Sequence, residues 1–211
     1  MFPICRHLTA SPNVAGKNLV IGVFALQGDV REHETVLTGL GVVAKRVRTK
    51  DDLNGLDGIV IPGGESSVMD KLARIFGLRD PLREAIRAGL PVLGTCAGLI
   101  MLSDSLIGSI EGQETLGGLD VVVERNAFGS QVESFETELE VPLVSVTPLR
   151  VAFIRAPIIR IVGKAEVIAS LPNGDVVGVR HGKIVGVSFH PEVVGETRLH
   201  EWWLKTVVAG L

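Results

Sequence analysis

The chain has 211 residues, 46% hydrophobic and 21% charged, with a formal net charge of −3. Such a length fits one domain that buries about 70% of its unfolded surface. The weakly acidic balance makes no electrostatic case for nucleic acid or a membrane surface as partner, and no stretch approaches the roughly 20 apolar residues of a membrane span.

Residues 1–18 carry Pro3, Pro12, Asn13 and Gly16 without periodicity and read as a flexible N-terminal extension, with no apolar run suited to a signal peptide. The domain is expected over 19–211. Residues 19–26 are nearly all apolar, as in a parallel strand covered on both faces. Gln27-Gly28-Asp29 makes a turn, 30–40 has helical spacing ending at Gly41, and 42–47 is a second strand. A third strand, 58–61, runs into Pro62-Gly63-Gly64-Glu65-Ser66-Ser67 and a helix reaching Phe76; 80–88 is another helix with Pro81 near its start.

Next come an apolar strand, 90–93, the turn Gly94-Thr95-Cys96-Ala97-Gly98, and a helix from Leu99 to Leu102. Strand and helix alternate as in an α/β domain with a parallel sheet. The second half is less regular. Strands are expected at 119–123, 151–154, 166–169, 176–180 and 184–189, with hairpin turns at 172–174 and 181–183, before a final helix over 197–208. The 25 glycines exceed the usual share of about 7% and sit beside apolar runs, as tight strand-to-helix turns require.

Three stretches carry chemistry. A small-x-nucleophile-x-small sequence between strand and helix is a nucleophile elbow, here with Cys96. A thiol there sits at a helix N-terminus, whose partial positive charge favours the reactive thiolate. A lone apolar Cys is more often a small buried hydrophobe, so a second element has to decide. That element is Ser188-Phe189-His190-Pro191-Glu192: an apolar strand delivers His190 at its carboxyl end, where parallel sheets bind ligands. In an extended segment Glu192 would project to the same side and orient the imidazole. The third is Gly63-Gly64, whose backbone N–H groups suit an oxyanion; neither Gly-Lys-Ser/Thr nor Gly-x-Gly-x-x-Gly occurs there to make it a phosphate loop. The only other cysteine, Cys5, falls in the expected tail, so a structural disulfide is not expected and a reducing, cytoplasmic setting is.

With these elements in this order, the chain resembles the class I glutamine amidotransferases, and within them the glutaminase subunits of pyridoxal 5′-phosphate synthase. The closer likeness rests on Ala25-Leu26-Gln27-Gly28 with Arg31-Glu32-His33, Glu124-Arg125-Asn126-Ala127-Phe128-Gly129 with Gln131-Val132 and Ser134-Phe135-Glu136, and Phe153-Ile154-Arg155-Ala156-Pro157. The fold expected is three-layer α/β/α, with a flavodoxin-like, mostly parallel sheet and some antiparallel hairpin in the second half. The resemblance implies Cys96 as nucleophile, His190 as general base and acid, and Glu192 as its orienting partner. It implies glutamine binding by Gly64, Glu65, Ser66, Arg125, Ile154 and Arg155, and a backbone oxyanion hole near Gly64 and Ala97.

Glutamine hydrolysis through a Cys thioester is thus expected, with no metal or organic cofactor. The same resemblance implies ammonia delivery to a synthase subunit in a large hetero-oligomer with a dodecameric core. It also implies a poorly active isolated subunit whose oxyanion hole the partner completes. Departures are small: Ser67 stands where the family pattern has Thr, and 107–118 looks like a slightly longer surface loop. Three competing readings remain. A glutaminase of histidine synthesis is opposed by the stretches around Arg125 and Arg155. A deglycase-like relative is opposed by the late His-Pro-Glu. A non-catalytic subunit is opposed by the intact Cys, His and Glu.

Overall fold

The computed structural model describes residues 19–125, 127 and 134–211. The expected extension at 1–18, with Cys5, lies outside the described residues, as do Asn126, Phe128, Gly129, Gln131 and Val132 of the family-like stretch.

Apolar runs become buried parallel strands in the first half: β1 Val20–Phe24, β2 Val43–Val47, β3 Gly58–Ile61 and β4 Val92–Thr95. Between them lie α1 Val30–Gly39, α2 Ser66–Ile75 and α3 Arg79–Arg87, and the short α4 Ala97–Leu102 follows the elbow. The second half supplies β5 Ser103–Ile107, β6 Leu119–Glu124, β7 Phe135–Leu139, β8 Leu149–Phe153, β9 Ile158–Val162, β10 Glu166–Ser170, β11 Val176–His181 and β12 Ile184–Val187. Helix α5, Arg198–Trp202, continues as a wider π-type turn through Trp203–Val208.

Nine strands run in the order β2-β1-β3-β4-β12-β11-β9-β6-β5, and β10 pairs with β11 to make ten. Strands β2, β1, β3, β4 and β12 are mutually parallel. The β11 pairings with β12 and β10 are antiparallel, as the hairpin turns predict, and β11 also meets β9 antiparallel. A separate ribbon joins β7 to β8, with Phe135 opposite Phe153.

Successive side chains of a strand point to opposite faces, and the two cores follow that alternation. Val60, Leu93, Val185 and Val187 enter one core with Leu37, Trp203 and Leu204, and with Leu149, Val151 and Phe153 of the ribbon. Ile59, Ile61, Val92 and Ile184 enter the other with Met69, Leu82 and Leu99. Thus α1, α5 and the ribbon cover one face, and α2, α3 and α4 the other. The three layers are those expected from the sequence, with the ribbon as an addition.

Three strands have no counterpart in the sequence reading: β5, β7 and β9. On β5 only Ser103 is buried, so no apolar pattern marks it. Strand β7 alternates exposed Glu136 and Glu138 with inward Phe135 and Leu139, and is two-stranded with β8 alone.

Candidate active site

The carboxyl ends of β1, β3, β4 and β12 converge, and each delivers one part of a cleft. After β1 come Gln27-Gly28-Asp29; after β3, Gly63 to Ser66; after β4, Cys96; after β12, His190. A cavity of about 360 Å³ is lined by these segments with Arg125, Ile154 and Arg155. That size suits a small metabolite.

Cys96 adopts φ 49° and ψ −101°, a backbone conformation that costs a non-glycine residue about 1–3 kcal/mol. Its surroundings fix it there: Cys96 N–H donates to Val187 O at 2.8 Å, and Ile100 N–H to Cys96 O at 3.2 Å. The turn needs glycine at Gly98, because a Cβ there would overlap the Ile61 carbonyl on β3. Cys96 Sγ lies 3.8 Å from Ile154 O, so β8 and the loop after it close over the thiol.

His190 is held by a bridge that nothing in the sequence marks. Its N–H donates to Ala152 O at 2.8 Å and Ala152 N–H returns to His190 O at 3.3 Å, tying the segment to β8. Phe153 and Phe189 support that bridge edge to face, with centroids 5.8 Å apart. The imidazole shares the cleft with Cys96 and hydrogen-bonds Glu192 behind it. His190 Nδ1 is 2.9 Å from Glu192 Oε1. The segment is not extended, as the sequence reading supposed: Pro191 has φ −70° and ψ −34°, and Glu192 opens a tight 3₁₀ turn. That turn, not strand alternation, swings the carboxylate under the ring.

The electrostatics follow from this chain of contacts. Burial opposes a charge on His190, but Cys96 and Glu192 outweigh it and push its pKa up to about 10. Burial likewise opposes charge on Glu192, yet His33 and His190 hold its carboxyl well below the usual range. Asp29 is shifted up, first by its burial and partly relieved by His190; its Oδ2 lies 3.5 Å from His190 Nδ1. Asp29, His190 and Glu192 bring three potential metal-ligating atoms within 4.8 Å. Glu192 Oε1 is already committed to His190, so ion pairing accounts for the cluster.

Of the expected substrate residues, Gly64, Glu65, Ser66, Arg125, Ile154 and Arg155 all line the cleft with Cys96 and His190. Arg125 Nη2 donates to Glu65 Oε1 at 2.7 Å, and Ser67 Oγ, the Thr-to-Ser departure, donates to the same oxygen at 2.9 Å. Ala97 begins α4 and is buried; Gly64 stands at the mouth. One carboxylate beside two guanidinium groups complements the zwitterionic head of an amino acid.

Residues with no role assigned from sequence also belong to the site. Gln27 Oε1 accepts from Glu65 N–H at 2.9 Å and so fixes the glycine loop. Gln113 Nε2 donates to Ser66 Oγ at 3.0 Å, and its Oε1 accepts from Arg125 Nη1 at 2.7 Å. The segment read as a surface loop therefore reaches the cleft. It is anchored by Arg74 to Gly112 O, Arg79 to Glu114, Arg83 to Thr115 O and Leu116 N–H to Met101 O. A longer loop looks expendable in one dimension, and only the fold reveals what it touches.

An elbow thiol with a His and Glu behind it, on the carboxyl edge of a parallel α/β sheet, defines the class I glutamine amidotransferase arrangement. The chain belongs to the SNO glutamine amidotransferase family, whose model matches residues 23–209. It is 59% identical over 188 residues to the pyridoxal 5′-phosphate synthase subunit PdxT of Leifsonia xyli, covering 89% of this chain and 95% of that protein. To the subunit of the same name from Clavibacter sepedonicus it is 54% identical over 199 residues, covering 94% and 95%. A crystal structure of a glutamine amidotransferase superposes with TM-score 0.83 at 47% identity, covering 90% of this chain and 99% of that one.

Proposed function

We propose that this chain hydrolyses L-glutamine to L-glutamate and ammonia as the glutaminase subunit of a pyridoxal 5′-phosphate synthase. The observation that carries the chemistry is the run Cys96–His190–Glu192 opening on a cleft with Glu65, Arg125 and Arg155. The partner rests on relatives named pyridoxal 5′-phosphate synthase subunit PdxT.

His190 takes the Cys96 proton, and the sulfur attacks the carboxamide carbon. Backbone N–H groups at Gly64 and Ala97 receive the developing oxyanion, where each donor is worth about 10²–10³-fold in rate. Protonated His190 then gives its proton to the nitrogen, the C–N bond breaks and ammonia leaves a thioester on Cys96. Water attacks that thioester, His190 accepts the water proton, and glutamate departs as the sulfur is regenerated. Glu192 keeps the imidazole oriented and stabilises its charged form.

Glu65 faces the substrate α-ammonium, and Arg125 and Arg155 its α-carboxylate. Gly64, Ser66 and Ile154 shape the slot. Ammonia passes to a synthase subunit in a hetero-oligomer with a dodecameric core, in the cytoplasm. The catalytic domain spans 19–211, and residues 1–18 are assigned no function. Among the described residues no helix is long and apolar enough to cross a membrane.

A diazoketone analogue of glutamine tests the site. Incubated with the chain and its cognate synthase, it is expected to leave one covalent adduct on the Cys96 peptide, and excess glutamine is expected to suppress it. An adduct elsewhere, or one that glutamine does not compete away, would contradict the assignment.

A further inference from the structure

Behind the triad lies a second imidazole that the mechanism above does not use. His33, on α1, is fully buried. Its Nε2 is 3.1 Å from Thr95 Oγ1 and 3.4 Å from Glu192 Oε1, while its Nδ1 is 2.9 Å from His200 Nε2 on α5. Thr95 Oγ1 in turn lies 3.4 Å from Glu192 Oε1. The contacts continue the line Cys96–His190–Glu192 through the interior to His33 and His200.

We propose that His33 is a positioning residue for the glutaminase reaction: through Nε2 it holds Glu192 ionised and turned toward His190. The proposal rests on the glutaminase reading for its effect on turnover, but its geometry is independent of the substrate.

Burying a carboxylate away from water is costly unless it is paired. The Glu192 side chain is fully shielded from water, and its Oε2 has no hydrogen-bond partner among the described residues. All compensation therefore converges on Oε1, which faces His190, Thr95 and His33. An ionised carboxylate only accepts, so the His33 nitrogen facing it carries the hydrogen, whatever the net charge of that ring. The Thr95 hydroxyl accepts from the same Nε2–H and donates to Glu192. His200 fixes the orientation of His33 from behind and stays uncharged, since burial and the neighbouring His33 push its pKa down to about 3.

A competitor makes the clamp necessary. Asp29 presents Oδ2 to His190 Nδ1 at 3.5 Å from the open side of the cleft. A Glu192 free to turn would leave the imidazole to that half-exposed carboxylate and tilt it away from Cys96. The charged and titratable groups around His33 are Glu192 with His190 beyond it, His200 with Glu196 behind it, and Asp29 at the N-terminal cap of its own helix.

Two substitutions separate positioning from packing. His33→Gln places an amide N–H where Nε2 stands; His33→Asn reaches only the Nδ1 position and faces His200. In the complex with the cognate synthase, His33→Asn is expected to lower kcat for glutamine about 30-fold with KM within about threefold, and His33→Gln to stay within about fivefold of wild type. The acid limb of the pH profile moves up by about one unit in the Asn variant, because Glu192 is then more easily protonated, and stays in place in the Gln variant.

The rate of iodoacetamide alkylation at the Cys96 peptide, followed against pH, reads the same chain without glutamine. It is expected to shift for Asn and not for Gln. Absent glutamate release by wild type together with this alkylation pattern would sink the glutaminase reading and leave the clamp standing. Equal profiles for the two variants, whether both native-like or both impaired, would overturn the clamp. If His33→Asn does not fold, a shifted alkylation profile in His33→Gln overturns it, and an unshifted one supports it.

Discussion

At the scale of single residues, His190 and Glu192 make a pH-dependent contribution to stability. The His190 pKa is raised from 6.5 to about 10 in the folded chain, so its contribution is complete below pH 6.5 and drains away as pH rises toward 10. Glu192 is lowered from 4.5, so its contribution is present above pH 4.5 and is lost as pH falls through the folded value. The melting temperature of wild type is therefore expected to drop more steeply than that of His190→Asn between pH 6.5 and 10. Parallel curves would show that the pair carries no net stabilisation. Arg125 belongs to the same scale. Its side chain is 9% exposed and makes two charge-assisted hydrogen bonds at the cleft. Arg125→Met is expected to raise KM for glutamine about 10–100-fold with a smaller change in kcat, measured by glutamate release in the complex. An unchanged KM would remove Arg125 from the substrate's contacts. Cys96, His190 and Glu192 were legible in the sequence because chemistry demands those types at strand ends. His33 was legible only as part of a family-like stretch: one His among polar neighbours on a helix announces neither its burial nor what lies across the interior.

At the scale of elements, close approach explains which glycines matter. A Cβ at Gly63 would collide with His190 Cε1 and crowd Asp29 Oδ2. The sequence pointed to Gly63-Gly64 for their N–H groups, and the fold adds that Gly63 also makes room for the imidazole. Gly63→Ala is expected to fold, because the clash falls on side chains, and to lose about 100-fold or more in kcat. Circular dichroism and glutamate release together check this; a folded variant with native kcat would contradict the tight fit. The loop 107–118 is a second case. Gln113→Ala frees Ser66 and Arg125 at once, and it is expected to raise KM for glutamine about tenfold while leaving the melting temperature nearly unchanged. Equal KM values would make the loop mere covering. Strands β1, β3, β4 and β12 were readable because burial on both faces leaves unbroken apolar runs. The edge strand β5 and the ribbon strand β7 were not, since exposure on one side and charges along it erase that signal. The ribbon matters to the site nonetheless, because β8 pairs Ala152 with His190.

At the scale of the molecule, the parallel half and the hairpin half have separate tasks. The parallel strands aim four loops at one edge, which is why residues as far apart as Gln27 and His190 line one cavity. The antiparallel half, through β8 and the loop after it, supplies Ile154 and Arg155 and closes over the thiol. This division was visible in outline from the change in sequence rhythm, whereas the strand order was not, because a crossover from β4 to β12 leaves no local trace. Both halves serve one reaction, the hydrolysis of glutamine at Cys96 for a synthase partner. It is tested most directly by glutamate release from glutamine, with and without the cognate synthase, for wild type and Cys96→Ala. Release is expected to be strongly increased by the synthase and to disappear in Cys96→Ala although the variant still binds the synthase. Release that persists in Cys96→Ala would contradict the thioester route, and no release by wild type even with the synthase would contradict the function.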